Sequence, residues 1–152
     1  MPNKNLTGAA GVHFVVSELS FRGLIALPTI RNTAGIDILV SEPDGSNYAN
    51  LQVKTRSSQA DYWPTSKPEK CLIGPNSFYV FVQYIPKEER FEAFLESGMD
   101  VSNRVEKILK SNQNKGNKDF PYWELPDSMI EIENLRRNWK NWRPPNISKA
   151  VR

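Results

Sequence analysis

Two segments in which apolar and polar residues alternate, on either side of a turn, constrain the fold more than any other feature. Residues 36–40 read IDILV, residues 48–55 read YANLQVKT, and the turn formers of residues 42–47 lie between them. Alternation with a period of two is typical of strands that bury one face, and a short polar turn between two such strands is typical of a hairpin. The sequence therefore predicts an antiparallel hairpin.

The hairpin also predicts which side chains share a face of the sheet. Both strands must point their apolar residues towards the core, because a slip of one residue would turn every side chain to the other face. The core-facing residues are then Ile36, Ile38, Val40, Leu51 and Val53. Asp37, Gln52 and Lys54 share the opposite face. Whether Asp37 lies across from Gln52 or from Lys54, facing Cβ atoms are about 4.5–5.5 Å apart, so a carboxylate, an amide and an ammonium are expected to converge.

The rest of the chain predicts an α/β fold. The spacing of apolar residues predicts helices over residues 7–22, 100–110 and from about 127, and strands over residues 24–30, 78–82, 90–96 and 122–125. Thr7 is the expected N-cap of the first helix. The order of these elements indicates a mixed central sheet flanked by helices. We expect one domain over residues 1–152, with a core at about 7–95 and a C-terminal helical extension at about 98–143.

A single cysteine, Cys71, and a single histidine, His13, restrict the chemistry. They exclude an intramolecular disulfide framework and leave too few ligands for a zinc site made of cysteine and histidine alone. The sequence contains no nucleophile elbow of a serine hydrolase, no phosphate-binding P-loop and no glycine-rich dinucleotide turn. No apolar run approaches ~18 residues and no signal-type segment follows Met1, so we expect a cytoplasmic protein without a membrane partner. The formal charge of +3 admits an anionic partner without requiring one.

The sequence around the hairpin resembles that of a known superfamily. The strand GIDILV of residues 35–40, the strand LQVKT of residues 51–55 and a preceding helix that ends in Arg22 and Gly23 are similar to the PD-(D/E)XK nucleases, which have the restriction-endonuclease-like fold. Within this superfamily the sequence looks most like the resolvase-like and Mrr-like branches, some of which carry glutamine in place of the second acid. The resemblance covers roughly residues 8–84.

The resemblance implies a Mg²⁺-dependent nuclease that hydrolyses the phosphodiester bonds of DNA, with Mn²⁺ and RNA as alternatives. Asp37 matches the metal-binding aspartate, Gln52 stands at the second acid, and Lys54 matches the lysine that acts near the scissile phosphate. In such enzymes the backbone carbonyl at the position of Val53 is a further metal ligand. Metal-assisted hydrolysis of this kind requires no histidine, and Mg²⁺ prefers oxygen ligands. The resemblance also allows a homodimer.

Two positions depart from the superfamily pattern. Gln52 is neutral, and the first helix has Val12 after Gly11, where many members have a glutamate. Glu18 on the same helix is a further candidate ligand. These departures leave an alternative open, namely a catalytically degenerate module of the same fold that binds nucleic acid or a protein partner without cleavage. An exposed cross-strand ion pair of Asp37 with Lys54 is the alternative without a metal site.

Two groups of residues are candidate nucleic-acid contacts. The polar segment of residues 56–76 carries the first group, which could form a lid over the substrate: Arg56, Trp63, Lys67 and Lys70. The last helix carries the second group, which could contact phosphates: Arg136, Arg137, Lys140 and Arg143. The alternatives are that Trp63 fills a sheet edge and that the cations of the last helix complement its dipole.

Overall fold

The chain forms three α-helices and two β-sheets in a computed structural model that describes residues 3–30, 35–58, 60–115 and 120–146. In chain order the elements are α1 (Lys4–Phe21), β1 (Ile25–Pro28), β2 (Ile38–Ser41), β3 (Tyr48–Arg56), β4 (Tyr62–Pro64), β5 (Ser77–Ile85), β6 (Arg90–Ser97), α2 (Gly98–Asn114), β7 (Tyr122–Glu124) and α3 (Met129–Asn141). Short 3-10 helices lie at Pro68–Lys70 and Pro86–Glu88. None of the helices in the described ranges is long and apolar enough to cross a membrane.

The main sheet has five strands in the order β1-β2-β3-β5-β6. All neighbours are antiparallel except β3 and β5, which run parallel. The chain returns from β3 to β5 through residues 57–76, and β4 in this segment pairs with β7 in a separate two-stranded sheet. The prediction of a mixed sheet flanked by helices is confirmed. The second, smaller sheet was not predicted, because β4 has only three residues in a polar segment.

Each face of the main sheet carries its own hydrophobic cluster. The first cluster lies between the sheet and α1 and includes Val15, Leu19, Ile38, Val40, Leu51, Val53, Val80, Val82, Trp139 and Trp142. The second lies on the other face and includes Trp63, Tyr79, Phe81, Phe94, Val101, Val105, Leu109, Trp123 and Leu135. Residues of α2 and α3 therefore belong to the same clusters as the sheet. The register of Ile38 with Leu51 confirms the predicted face of the hairpin's apolar residues.

Helix boundaries differ from the expected ones at two places. The N-cap of α1 is Asn3, whose Oδ1 accepts the N–H groups of Asn5 and Leu6 at 2.9 and 3.0 Å, whereas Thr7 lies inside the helix. Both residue types cap helices well, and local spacing does not decide between them. The second helix extends to Asn114, beyond the predicted end at residue 110.

A buried ion pair fixes α2 to the sheet. Arg104 of α2 approaches the carboxylate of Glu96 in β6 to 2.7 Å, and the indole N–H of Trp123 donates to the same carboxylate. Glu96 is one of the few buried polar residues, and these donors satisfy its charge. The pair ties the small sheet, α2 and the main sheet together.

Close packing of α1 on β3 depends on a glycine. A Cβ atom added at Gly11 would lie 1.8 Å from Oγ1 of Thr55 and 2.7 Å from its Cβ. One turn earlier, a Cβ atom added at Gly8 would meet nothing within 4 Å. Packing therefore requires a glycine at position 11 but not at position 8.

We expect Gly11→Ala to lower the free energy of unfolding by about 1–3 kcal/mol, because the backbone of α1 must move away from Thr55. Gly8→Ala is the matched control and should raise it by roughly 0.5–1 kcal/mol, since alanine favours the helix. Urea denaturation of both variants checks this. Equal effects of the two substitutions would contradict the packing argument.

Candidate active site

The candidate site lies beside the later residues of β3, just before the first residue of β2. The strands pair from Ile38 with Leu51 to Ser41 with Tyr48, so β2 does not extend beside the last residues of β3. Asp37 precedes β2, and its main chain is fixed on both sides. Its N–H donates to the carbonyl of Leu51 at 2.8 Å, and its carbonyl accepts from the N–H of Thr29 at 2.9 Å.

The side chain of Asp37 accepts a backbone hydrogen bond from β3 at a position where β2 has no paired residue. Its Oδ2 accepts the backbone N–H of Val53 at 2.7 Å. In an extended strand, the N–H and C=O of one residue point to the same side. The carbonyl of Val53 therefore faces the same edge as the carboxylate of Asp37. Two oxygen ligands of the kind that Mg²⁺ prefers lie side by side at this edge.

Gln52 and Lys54 lie on the face opposite the α1 cluster. Asp37 lies just before the pair of Ile38 with Leu51, and it bonds to Leu51 through its N–H and to Val53 through its carboxylate. It therefore lies beside the segment of β3 that carries Gln52. The parallel register with β5 places Tyr79 beside Gln52. The described structure thus brings Asp37, Gln52, Val53 and Lys54 together.

Lys54 and Asp37 are electrostatically coupled. Burial lowers the pKa of Lys54, and the negative charge of Asp37 opposes this shift. Within the described ranges, Lys54 makes no direct salt bridge with a carboxylate. The pair is therefore not the exposed cross-strand ion pair that served as the alternative explanation.

Two neutral side chains lie near the charges of the site, Cys71 near Lys54 and Tyr79 near Asp37. Tyr79 is fully buried, and its hydroxyl accepts the N–H of Leu72 at 3.0 Å. The thiol of Cys71 points to the carbonyls of Ser66 and Lys67. Burial raises the pKa of the Cys71 thiol and of the Tyr79 hydroxyl, so both stay neutral at pH 7. Sequence reasoning missed Tyr79 as a neighbour of the site, because its place depends on the β3–β5 pairing.

A groove of about 450 Å³ reaches Asp37 and Val53 from the side of α1. Lys4, Gly8, Val12 and His13 of α1 are among the residues that line it. The hydrocarbon of Val12 thus borders the site where the superfamily pattern has a carboxylate. His13 is exposed and lines the same groove.

The oxygen-rich edge lacks a cluster of acids. In the part of the chain that the structure describes, no three residues of His, Cys, Asp or Glu lie close enough together to hold a metal ion. A divalent ion here would take the carboxylate of Asp37, the carbonyl of Val53 and the amide oxygen of Gln52, together with water and phosphate oxygens. This set of neutral and anionic oxygens fits Mg²⁺ or Mn²⁺ better than a soft metal.

Glu18, a predicted candidate ligand, does not reach this edge. Its carboxylate lies 3.2 Å from Nη2 of Arg22, and it lines a different cavity beside Trp139 and Lys140 of α3. Six residues separate Glu18 from Val12, which is about 9 Å along a helix axis. The prediction of Glu18 as a ligand is wrong for this reason.

Trp63 does not form a lid. It is 1% exposed, and its indole N–H donates to the carbonyl of Val82 at 3.1 Å. The guanidinium of Arg56 lies 3.8 Å above the Trp63 ring and donates to the carbonyl of Tyr62. Burial lowers the pKa of Arg56 to about 10, so it stays charged at neutral pH. The prediction that these two side chains contact nucleic acid is wrong, because both are used to seal the second cluster.

Lys67 and Lys70 are exposed in the segment that leads to Cys71. Lys67 is the N-cap residue of the 3-10 helix at Pro68–Lys70, and Lys70 is the last residue of this helix. Their contact with nucleic acid stays a prediction.

The basic residues of α3 do not form one free patch. Arg136 pairs with Glu92 at 3.0 Å, and Arg143 pairs with Glu42 at 2.6 Å. The Arg143 contact also lowers the pKa of Glu42 and ties the end of α3 to the hairpin turn. Each of these two arginines thus has an acidic partner, and their contact with nucleic acid stays a prediction. Arg137 and Lys140 are exposed and stay candidates.

No protein-family model and no curated protein matches the sequence. Among solved structures, the chain is similar to a bacterial homing endonuclease, I-Ssp6803I, with a TM-score of 0.48 and 13% identity over 98% of this chain and 86% of that chain. This similarity is too low to assign the chain to that protein's family or activity.

The burial of Lys54 predicts a pH-dependent effect on stability. A lowered pKa in the folded state means that the cost of burying the charge is fully present at low and neutral pH, and that it vanishes as the pH rises towards the ordinary value of 10.5. We therefore expect Lys54→Met to raise the free energy of unfolding at pH 7 by roughly 0.5–2 kcal/mol. Urea denaturation at pH 7 and pH 10 should show the difference from wild type narrowing at the higher pH. A difference that grows with pH would contradict the burial of the ammonium.

Proposed function

We propose that the chain is a metal-dependent nuclease that hydrolyses phosphodiester bonds of DNA at the open edge of β3. One observation carries the proposal, namely that the carboxylate of Asp37 and the carbonyl of Val53 share this edge while Lys54 lies within the field of Asp37. The resemblance of the sequence to the PD-(D/E)XK nucleases supports the same function. The structural similarity described above carries no weight in it.

The mechanism divides the work among the residues of the site. Oδ2 of Asp37 accepts the N–H of Val53, and this hydrogen bond fixes the orientation of the carboxylate and therefore of Oδ1. A bound divalent ion would supply a hydroxide-like nucleophile and neutralise negative charge on the phosphate. The ammonium of Lys54 donates to a phosphate oxygen and stabilises the charge that develops there. Its partial burial strengthens this interaction, because the surroundings screen it less than water does.

Gln52 has a supporting role. Gln52 lies between Leu51 and Val53, the two residues that bond to Asp37, and we propose that its amide oxygen binds the metal ion or the attacking water. Because the amide is neutral, the site binds a divalent ion less tightly than a site with two acids would. We therefore propose activity that requires millimolar Mg²⁺ or Mn²⁺.

Removing either charge should abolish cleavage without unfolding the protein. Asp37→Asn keeps an oxygen that can accept from Val53 but loses the negative charge, and Lys54→Met keeps the length of the side chain. We expect each to reduce the cleavage rate by about 10²-fold or more, which is the typical loss when one charge-stabilising group is removed. The assay incubates plasmid, branched and single-stranded DNA, and RNA, with Mg²⁺, Mn²⁺ or chelator.

Lys107→Met is the matched control, because Lys107 is an exposed lysine on α2. It should cleave as the wild type does. Metal-dependent cleavage that survives in both Asp37→Asn and Lys54→Met would overturn the assignment. A homodimer, RNA as a substrate and a cytoplasmic location stay predictions from the sequence.

A second candidate function is a degenerate module that binds nucleic acid without cutting it. The observation that favours it is the absence of an acidic cluster within the described ranges, together with Val12 and Gln52 at the positions where acids are expected. Binding of DNA by the wild type without cleavage in any of these metals would support this candidate over the nuclease.

Adding a carboxylate to the groove should strengthen metal binding. Val12 lines the groove beside Asp37, so Val12→Glu brings an acid to this side of the site. We expect the Mg²⁺ affinity measured by calorimetry to rise about tenfold, which corresponds to about 1.4 kcal/mol. Val16→Glu is the control, since Val16 packs against the same cluster one turn further on without lining the groove. Equal affinities of the two variants would place the metal elsewhere.

A further inference from the structure

We infer that the groove between α1 and the end of β1, defined here as the α1 groove, binds the nucleotide next to the scissile phosphate. The inference rests on the proposed nuclease function and assigns a substrate subsite to it. The groove's volume of about 450 Å³ falls within the 300–1,000 Å³ of typical ligand pockets. Its floor contains Asp37 and Val53, the two residues whose oxygens share the open edge of β3.

One face of α1 forms one wall of the α1 groove. The lining residues of this wall follow helical spacing: Lys4, Asn5, Gly8, Ala9, Val12 and His13. Pro28, Thr29 and Ile30 form the opposite wall. A chain that enters from the sheet edge at Asp37 would therefore run along the first three turns of the helix.

The chemistry of the walls suits a nucleotide. Val12 and Ile36 offer apolar surface for a sugar or a base, while Lys4 and His13 offer N–H groups to a phosphate. Among the described lining residues, Asp37 is the only acid. No other negative charge of these residues would repel a second phosphate.

Gly8 is the observation that points to a ligand. A glycine in the interior of a helix lowers its stability, so it usually has a packing reason. At Gly11 the reason is the approach of Thr55, but a side chain at Gly8 would meet no atom of the described structure within 4 Å. Gly8 and Ala9 instead leave this side of the groove without a large side chain. The space is thus retained at a cost in helix stability.

A substitution that fills the groove tests its role in DNA binding without lowering the stability of the fold. Gly8→Leu places a bulky side chain in the open space, and leucine favours the helix more than glycine does, so the melting temperature should not fall. We expect the Kd for a fluorescein-labelled DNA oligonucleotide, measured by anisotropy with chelator present, and the KM of cleavage to rise at least tenfold. Ala10→Leu is the matched control, because Ala10 is exposed on α1 and does not line the groove. It should stay within twofold of wild type.

The polar wall gives a second, independent measurement. His13→Ala and Lys4→Met should each weaken binding of the same oligonucleotide about threefold or more, with unchanged melting temperature, because both residues are exposed. Gly8→Leu that binds and cleaves DNA as Ala10→Leu does would overturn the α1 groove as a subsite and leave the proposed nuclease function standing. A wild type that neither binds nor cleaves DNA would overturn both.

Discussion

The hydrogen bond from the N–H of Val53 to the carboxylate of Asp37 is the contact on which the site depends. A backbone N–H in a buried strand needs an acceptor, and the backbone pairing of β2 with β3 begins only at Ile38 with Leu51, so β2 supplies no backbone acceptor to Val53. The side chain of Asp37 takes this place. It satisfies the N–H but leaves the carbonyl of Val53 at the same edge, so an edge that would otherwise need another strand is open to a ligand. The same bond fixes the orientation of the carboxylate.

The two faces of β3 carry side chains of different kinds. On one face Leu51 and Val53 enter the cluster under α1, which Gly11 brings close to the strand. On the other face Lys54 is partly buried, and burial lowers its pKa while the charge of Asp37 opposes this shift. A buried, incompletely paired cation stabilises nothing in the folded protein by itself. In the proposed function, a phosphate of the substrate would supply the negative group that this cation lacks.

The sequence predicts what local periodicity encodes and fails where distant segments meet. The period of two in the hairpin fixes the parity of Asp37, Gln52 and Lys54, because only one register buries both apolar sets. Nothing local predicts that three residues around Trp63 pair with three around Trp123, or that Arg143 reaches Glu42 across 101 positions. The α1 groove was also not predicted, since it needs the packing of a helix against the end of β1. Tryptophan and arginine are typical of binding surfaces, but here Trp63 packs in the core and Arg143 forms an intramolecular ion pair.

The charges at the site argue for coupling between metal and substrate. The charges of Asp37 and Lys54 cancel, and Gln52 is neutral. The net charge of the site is therefore close to zero, so the free protein attracts a divalent cation only weakly. A phosphodiester brings the missing negative charge and two further oxygens, which complete the hard ligand set that one carboxylate and one carbonyl begin. Linkage requires that each ligand then raise the affinity for the other by the same factor. In the proposed nuclease, the neutral Gln52 would therefore make tight metal binding depend on bound substrate, which is compatible with cleavage at a site with a single carboxylate.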